Sequence, residues 1–415
     1  MIALVLLVPL FGNSTAPRIY PQSSGFPLQL YSLTRDSDIP VVGASEWSIG
    51  QRYGWDSGGS GVTTLDAFVK LLATSNIDAM PHLPCTGVVA DPGGRVAWTE
   101  ANMANWIRAL ARNGNVAYWD FPEELRYWKP SELAIAQSYS AYTRQYDQLR
   151  RPNFQYQPNQ TDAARCARFV PFFDVIATGN YADYAGQPHP WVRWHVEEAI
   201  RGVHLAGAVI GRDYLHGQKT IVSVIQLFKG ANGIVPTPDQ SYHDFWGSIA
   251  SGAQGIFVAS YSHRNDVPSL LTNWSRLCDA ASQVTGPEQL GSVILFGTTD
   301  TGVTATVTQG PNQSAPFTPY NTATPITIPA IGMRCWLWNG STYVIAVNST
   351  DQTVTATFAN LPLVPNGLVL FQKRSVSLTN GTLTDSFLPW GVNVYKVVSV
   401  LPIRTTSMPI AAQHD

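Results

Sequence analysis

The run Ile221-Val222-Ser223-Val224-Ile225 is almost unbroken in apolar side chains, and helical text stands on both sides of it. A surface hairpin would alternate apolar and polar residues more strictly, whereas a strand of a parallel sheet is buried on both faces. Outward from this run, short apolar strands alternate with helical stretches between Phe26 and about Val284. That order predicts βα units arranged around a parallel sheet.

Eight βα units can be counted, which is the number in a closed barrel. The predicted strands span residues 28–33, 49–53, 77–83, 115–121, 154–157, 174–178, 221–228 and 255–259. Helical spacing predicts the helices at 65–73, 100–112, from Pro130 onward, and at 163–170, 191–210, 242–251 and 270–284. The sequence therefore predicts an α/β fold, a (β/α)8 TIM barrel, over residues 17–285.

Beyond Pro287 the text changes to short strands rich in Thr and Val, at 303–307, 343–347, 354–358 and 392–398. Three Asn-Gly pairs predict hairpin turns, because both residues tolerate a positive φ: Asn339-Gly340, Asn366-Gly367 and Asn380-Gly381. We expect an antiparallel β-sandwich over residues 286–405, followed by a tail at 406–415. A chain of 415 residues is also longer than one hydrophobic core usually serves.

The charge of the chain is low, with 13% charged residues and a net charge of -2. No broad positive field results, so we expect neither nucleic acid nor an anionic membrane surface as a partner. Residues 2–11 form an apolar run that small side chains follow, which predicts a secretory signal within residues 1–16. This run is too short to span a bilayer. The expected location is secreted, extracellular or at the cell surface.

The four cysteines, Cys85, Cys166, Cys278 and Cys335, show no CxxC spacing and no paired His ligands. Two disulfides in an exported chain and buried free thiols are both open readings. We expect no metal and no organic cofactor. Several Asn-x-Ser/Thr sequons would make the protein a glycoprotein in a host that glycosylates them.

Functional side chains of such barrels lie where the strands end, at the carboxyl-terminal rim. The fourth predicted strand is the acidic one, with Asp120, Glu123 and Glu124 at its end. Indole and phenol faces suit the CH faces of sugars, while amides and carboxylates suit their hydroxyl groups. The rim therefore predicts a carbohydrate as partner. The expected substrate-binding residues are Tyr53, Trp55, His82, Trp119, Asp120, Asn180, Tyr181, Gln226 and Tyr261.

The run Tyr118-Trp119-Asp120-Phe121-Pro122-Glu123-Glu124-Leu125 resembles the fourth-strand region of barrel glycoside hydrolases, where a Trp-containing strand ends in the acid/base Glu. Together with residues 151–162, 174–186 and 191–200, it is similar to a group of secreted glycoside hydrolases that join a barrel to a β-sandwich. The resemblance covers about the middle third of the chain. It implies hydrolysis of a neutral oligo- or polysaccharide.

Glycosidic cleavage needs a proton donor and a second carboxylate. Glu123 or Glu124 is expected as the acid, with Glu123 favoured after Pro122, because neighbours on a strand end point apart. Asp183 is the expected second carboxylate, with Asp120 and Asp56 behind it. In the large clan of retaining barrel glycosidases, the resemblance implies that the nucleophile is a glutamate on the seventh strand. This chain has Gln226 at that place.

Other readings of the same residues stay open. The glutamate pair could be a solvated face with an ion pair to Arg126, and Asp183 could cap a loop as an Asx turn. The barrel could bind carbohydrate without cleaving it. Alternatively, the chain could be a structural surface protein that assembles with copies of itself, as a homo-oligomer.

Overall fold

The computed structural model describes residues 25–53, 61–88, 90–211, 218–230, 233–320 and 322–398. The expected signal segment at 1–16, the rim residues Trp55 and Asp56, and the tail at 406–415 lie outside the described residues. No helix within the described ranges has both the length and the apolar character needed to cross a bilayer. The four cysteines are free thiols.

A ring of eight parallel strands forms the first domain, as predicted. They are β1 (Leu28–Leu30), β2 (Ile49–Gly50), β3 (Asp78–Ala79), β4 (Trp119–Asp120), β5 (Asn153–Gln157), β6 (Val175–Asn180), β8 (Gln218–Gln226) and β9 (Ile256–Ala259), with a short β7 (Val209–Ile210) that pairs with β8. The hydrogen-bonded order is β3-β2-β1-β9-β8-β6-β5-β4. Parallel bridges from Ala79 to Val116 and from His82 to Asp120 join β3 to β4 and close the barrel.

Helices follow the strands and cover the outside of the barrel. They are α1 (Ile39–Gly43), α2 (Val62–Ala73), α3 (Glu100–Ala111), α4 (Pro130–Tyr146), α5 (Ala163–Phe169), α6 (Ala182–Ala185), α7 (Pro190–Leu205), α8 (Pro238–Ser251), α9 (Pro268–Thr285) and α10 (Leu290–Phe296). Several of these helices begin with a side chain that caps their first turn. At α8, the Thr237 side chain accepts a hydrogen bond from the Gln240 N–H in a capping box. The helix predicted to reach residue 210 ends at Leu205 instead, because Gly207 turns the chain with φ 74° into β7.

Aromatic rings fill the interior of the barrel. Tyr118 on the approach to β4, Phe154 on β5 and Phe257 on β9 pack on one another, with 5.3 Å between the ring centroids of Phe154 and Phe257. Tyr31 joins this group from the end of β1. Because these layers of side chains fill the barrel interior, a ligand of the barrel would bind at its rim.

Two antiparallel sheets form the second domain, a β-sandwich as predicted. Its strands are β10 (Thr298–Thr299), β11 (Thr304–Gln309), β12 (Ile331–Trp338), β13 (Ser341–Asn348), β14 (Val354–Ala359), β15 (Asn366–Leu370), β16 (Arg374–Ser377), β17 (Leu383–Phe387) and β18 (Val392–Val398). The larger sheet has the order β10-β12-β13-β18-β15-β16, and the smaller one has the order β11-β14-β17.

Two of the three Asn-Gly pairs turn as expected, with positive φ at Asn339-Gly340 and at Asn380-Gly381. The prediction for Asn366-Gly367 is wrong. This pair lies inside β15, where Asn366 pairs with Ser377 and Gly367 with Val376 on β16. Ladder pairing with β16 outweighs the local preference of Asn and Gly for turns.

A buried polar network joins the barrel helices to the sandwich. The Arg193 guanidinium on α7 donates to the Ser349 hydroxyl and to the Pro329 carbonyl, both at 2.9 Å. On α8, His243 Nε2 lies 2.8 Å from the same hydroxyl, and its Nδ1 lies 3.0 Å from Asp244. His189 Nδ1 lies 2.8 Å from the other Asp244 oxygen. Hydrogen bonds of this kind fix how the two domains meet.

Burial alone would lower the pKa of His189, but the Asp244 and Asp183 carboxylates raise it above its ordinary value. The charged form is therefore favoured by folding, and its stabilisation is complete below the unfolded pKa near ~6.5 and is lost as the pH rises through the folded pKa. His189→Gln removes this contribution.

We expect the free energy of unfolding to differ between wild type and His189→Gln mainly below pH 6.5, and the difference to shrink as the pH rises. Denaturant unfolding of both proteins at pH 6 and pH 9 measures it. A difference that is constant or larger at pH 9 would show that His189 is neutral in the folded protein.

Candidate functional site

Acidic side chains gather at the carboxyl-terminal end of β4, as expected. β4 ends at Asp120, and the following segment stays tied to β5, because the Phe121 N–H donates to the Phe154 carbonyl and the Glu124 N–H to the Tyr156 carbonyl, both at 3.1 Å. Glu123 and Glu124 thus lie at the mouth of the barrel, partly exposed. This is the face on which barrel proteins build their sites.

Asp120 is fully buried beneath this mouth. Its Oδ2 atom accepts a hydrogen bond from the Gln51 amide at 3.2 Å and lies 3.2 Å from His82 Nδ1. Burial raises the pKa of the Asp120 carboxyl, while the contacts with His82 and Gln51 act in the opposite direction by favouring the anion. The structure therefore brings together the predicted rim residues His82 and Asp120.

Glu123 lies beside Asp120 and is bound by a third predicted residue. The Tyr53 hydroxyl donates to Glu123 Oε1 at 2.5 Å. Burial first, and the Asp120 carboxylate second, raise the pKa of Glu123 to about 8. A carboxyl with this pKa is protonated at neutral pH and can act as an acid. Glu124 also has a raised pKa, caused by burial and opposed by Arg95.

Four tyrosines wall the acidic cluster in two stacked pairs. Tyr31 stacks on Tyr53 with 6.1 Å between ring centroids, and Tyr156 stacks on Tyr181 at 5.9 Å. Burial raises the pKa of each phenol, and Glu123 adds to the shift in each case. All four therefore stay neutral donors. Tyr31 and Tyr156 were not among the predicted residues, although the alternation of faces along β1 and β5 places both inside the barrel.

Arg95 holds the backbone of the glutamate pair from the side of α4. Its guanidinium donates to the carbonyl of Glu123 at 2.6 Å and to that of Glu124 at 2.9 Å. Glu124 has a φ of 53°, a left-handed conformation that costs about 1–2 kcal/mol for a residue with a side chain. Such conformations persist where the surroundings over-determine them, and Arg95 supplies part of that restraint. The acidic segment is therefore held rigidly.

Glu132, on the first turn of α4, is fully buried and neutralises two arginines. It accepts from the Arg95 backbone N–H at 3.1 Å and from the Arg126 side chain at 2.5 Å. Burial alone would raise its pKa, but hydrogen bonds from Arg126 and Arg95 lower the pKa of Glu132 to about 2. The alternative in which Arg126 pairs with the glutamate pair is therefore wrong, because Glu132 is the partner of Arg126.

Three predicted substrate-binding side chains are directed towards the helices and away from this cluster. The Trp119 indole donates to Asp147 at 2.9 Å, because Tyr118 and Asp120 on either side face the barrel interior. The Asn180 amide bonds with Ser223 at 2.6 Å and with His195 of α7 at 2.8 Å. Tyr261 packs on Trp274 of α9. These three residues were predicted at the rim because they lie near strand ends. Their side chains instead occupy the layer between the strands and the helices.

Asp183 and Gln226 are also engaged elsewhere. Asp183 Oδ1 lies 3.9 Å from His189 Nε2, and burial, His189 and Asp244 set its raised pKa. Asp183 thus belongs to the network at the domain junction, on the side of α6 that faces α7. The Gln226 amide accepts from the Tyr184 N–H at 3.2 Å and donates to the Phe228 carbonyl at 2.8 Å, so it shapes the loop after β8.

Solved structures of glycoside hydrolases share this architecture. An α-amylase from Geobacillus thermoleovorans has a TM-score of 0.58 at 8% identity, over 91% of this chain and 99% of that one. A β-L-arabinopyranosidase from Geobacillus stearothermophilus has 0.57 at 9%, over 93% and 98%. An isomalto-dextranase from Arthrobacter globiformis has 0.53 at 14%, over 92% and 74%.

No protein-family model matches the chain, and no curated protein matches its sequence. At the identities of the solved structures, similarity establishes the fold and leaves the reaction to be argued from the site. The chain has the fold of the TIM-barrel glycosidases that carry a C-terminal β-sandwich.

Glu132→Gln tests how the acidic segment is held. The change leaves Arg95 and Arg126 without their buried counter-ion, so we expect a loss of about 3–5 kcal/mol in the free energy of unfolding. Urea denaturation measures this loss. Glu288→Gln is the matched control, since its ion pair with Lys396 is partly exposed and should contribute less than about 1 kcal/mol. Equal losses in the two variants would contradict the role given to Glu132.

Proposed function

We propose that the protein is a glycoside hydrolase that cleaves a neutral oligo- or polysaccharide, with Glu123 as the general acid. The observation that carries the proposal is the place of Glu123, which lies beside the buried Asp120 at the mouth of a glycosidase-type barrel and accepts the Tyr53 hydroxyl. Burial and Asp120 raise the pKa of Glu123 there to about 8. A protonated carboxyl at the mouth can deliver its proton to the bridging oxygen of a glycosidic bond. The Tyr53 hydroxyl orients the carboxyl through its bond to Oε1.

Asp120 replaces Asp183 as the carboxylate partner of Glu123 in this proposal. Because Asp120 is fully buried, it acts on the pKa of Glu123 and does not contact the sugar, and a water molecule supplies the hydroxyl group that the sugar gains. Two neighbouring carboxyl groups whose surroundings separate their pKa values divide into an acid and an anion. Gln51 and His82 contact Asp120 on its Oδ2 atom and favour its charged form. The buried charge of Asp120 then keeps the proton on Glu123. Glu124 stays the alternative acid, with Tyr156 and Tyr181 near its carboxylate.

A neutral sugar suits the side chains around the pair. The four tyrosines offer apolar faces and hydroxyl groups, the combination that sugar rings and their hydroxyls require. Arg95, the cation beside the acidic segment, directs its guanidinium to backbone carbonyls and Glu132. Export from the cell, expected from residues 2–11, suits an enzyme for polymeric glycans and remains part of this proposal.

Three carboxamide variants test the assignment. Glu123→Gln removes the proton donor, and we expect kcat on an unactivated glycan to fall by about 10²–10⁴-fold. Asp120→Asn should cost at least as much, since it removes the partner charge. Glu124→Gln should keep activity within about tenfold of wild type. The measurement is release of reducing ends from a panel of neutral polysaccharides.

Circular dichroism and thermal unfolding serve as the folding control for each variant. Full activity in Glu123→Gln, or loss confined to Glu124→Gln, would remove Glu123 from the role of acid. Binding of a glycan by the wild type without any release of reducing ends would support the alternative of a carbohydrate-binding barrel.

The pKa of Glu123 also predicts the pH profile. As the pH rises through about 8, the acid loses its proton, so kcat/KM should fall on the alkaline side with a midpoint near this value. The hydrogen bond from Tyr53 lowers the pKa of Glu123, because it stabilises the anion. Tyr53→Phe should therefore move the alkaline limb to higher pH. Tyr31→Phe, which leaves Glu123 Oε1 bonded, is the matched control; the same shift in both variants would count against the assignment.

A further inference from the structure

A cleft of about 340 Å³ lies between the barrel and the sandwich. The barrel contributes Tyr242 on α8 and Arg276 on α9, and the sandwich contributes the loop before β16 and the loop before β18, with Phe371 and Trp390. None of the residues that line it belongs to the cluster around Glu123. The cleft is therefore separate from the candidate site around Glu123.

On the barrel side of the cleft, polar side chains are held in position and keep unused hydrogen-bonding capacity. The Arg276 guanidinium lies flat over the Tyr242 ring, 3.9 Å from its centroid. Within the part of the chain that the structure describes, this guanidinium has no hydrogen-bond acceptor; Asp239 and Asp279 lie 3.9 Å and 3.7 Å away. Gln283 accepts the Tyr242 hydroxyl at 2.6 Å through its Oε1 atom, which orients its amide. Oriented donors of this kind favour binding because little freedom remains to be lost.

The sandwich side presents large side chains from strained backbone. Between Thr298 and Val398, within the described residues, positive φ values fall on glycines and on Asn339, Asn360 and Asn380, which tolerate them, with three exceptions. These exceptions are Phe371 at 67°, Lys373 at 51° and Trp390 at 57°, and all lie in the two loops at the cleft. Glycine would relieve the strain at each position. Both aromatic rings also contact the barrel: Trp390 packs edge-on against His189 and His243, and Phe371 packs on Trp246. These contacts hold the rings in place at the cleft.

We propose that this cleft is a second carbohydrate site, which binds a neutral glycan chain without cleaving it. The rings of Trp390 and Phe371 would stack on sugar faces, and Arg276 and Gln283 would donate to hydroxyl groups. Charge favours a neutral ligand over an anion, because Arg374 is paired with Asp385 at 2.7 Å and Arg276 lies between two carboxylates. The site is independent of the proposed hydrolytic reaction.

Substitutions at the cleft, compared with one at a left-handed residue outside it, test the proposal. Phe371→Gly removes a ring that is 40% exposed and gives the left-handed position the residue that it favours. We expect this variant to remain folded, which thermal unfolding checks, yet to bind glycan at least tenfold more weakly. Arg276→Ala should weaken binding similarly. Asn360→Gly, which changes another left-handed residue of the sandwich outside the cleft, should bind as the parent does.

Binding is measured by native electrophoresis of the full chain in gels that contain soluble β-glucan, xylan, arabinan, dextran or starch. The parent protein carries Glu123→Gln, so that hydrolysis does not consume the probe and a failed reaction does not affect the result. Retardation of the parent and of Asn360→Gly by at least one polysaccharide, with loss in Phe371→Gly and Arg276→Ala, supports the second site. Absence of retardation in the parent, or equal retardation in all four proteins, overturns it.

Discussion

The proposed chemistry depends on one electrostatic constraint, which is that two carboxyl groups share a space where burial makes a second negative charge costly. Asp120 lies at the end of β4 inside the barrel, and Glu123 follows three residues later at the mouth. Gln51 and His82 contact Asp120, whereas Glu123 receives the neutral Tyr53 hydroxyl. Charge therefore settles on Asp120 and the proton settles on Glu123, since unlike surroundings separate the pKa values of neighbouring acids.

The rest of the fold keeps these two groups in place. Aromatic rings fill the interior of the closed barrel beneath the two carboxyl groups. They shield the carboxyl groups from solvent on that side. On the outside, Glu132 holds Arg95, and Arg95 holds the carbonyls of Glu123 and Glu124. This chain of contacts explains how Glu124 retains a left-handed backbone without being a glycine. Rigid support of this kind is what a proton donor needs in order to meet its substrate in one geometry.

Sequence patterns predicted the barrel, the sandwich and the acidic end of the fourth strand, because periodicity and strand-end position are local properties. They also placed Tyr53, His82 and Tyr181 near the acids. Trp119 and Asn180 lie on the helix-facing side of their strands, away from the rim, and the alternation of faces in Tyr118-Trp119-Asp120 indicates this for Trp119. Asp183 was misplaced for a different reason: its surroundings come from α7 and α8, far along the chain. Arg95 gave no sequence signal, since its partners are backbone carbonyls 28 and 29 residues away.

The most direct test of the account is the titration of the Glu123 carboxyl itself. Carbon-13 NMR of protein labelled at the glutamate side-chain carboxyls, with Glu123→Gln to identify the resonance, follows its protonation between pH 4 and pH 10. We expect the resonance missing from the variant to titrate near pH 8 in the wild type. A midpoint near the ordinary glutamate value of about 4.3 would contradict it, because Glu123 would then be ionised at neutral pH and could not donate a proton.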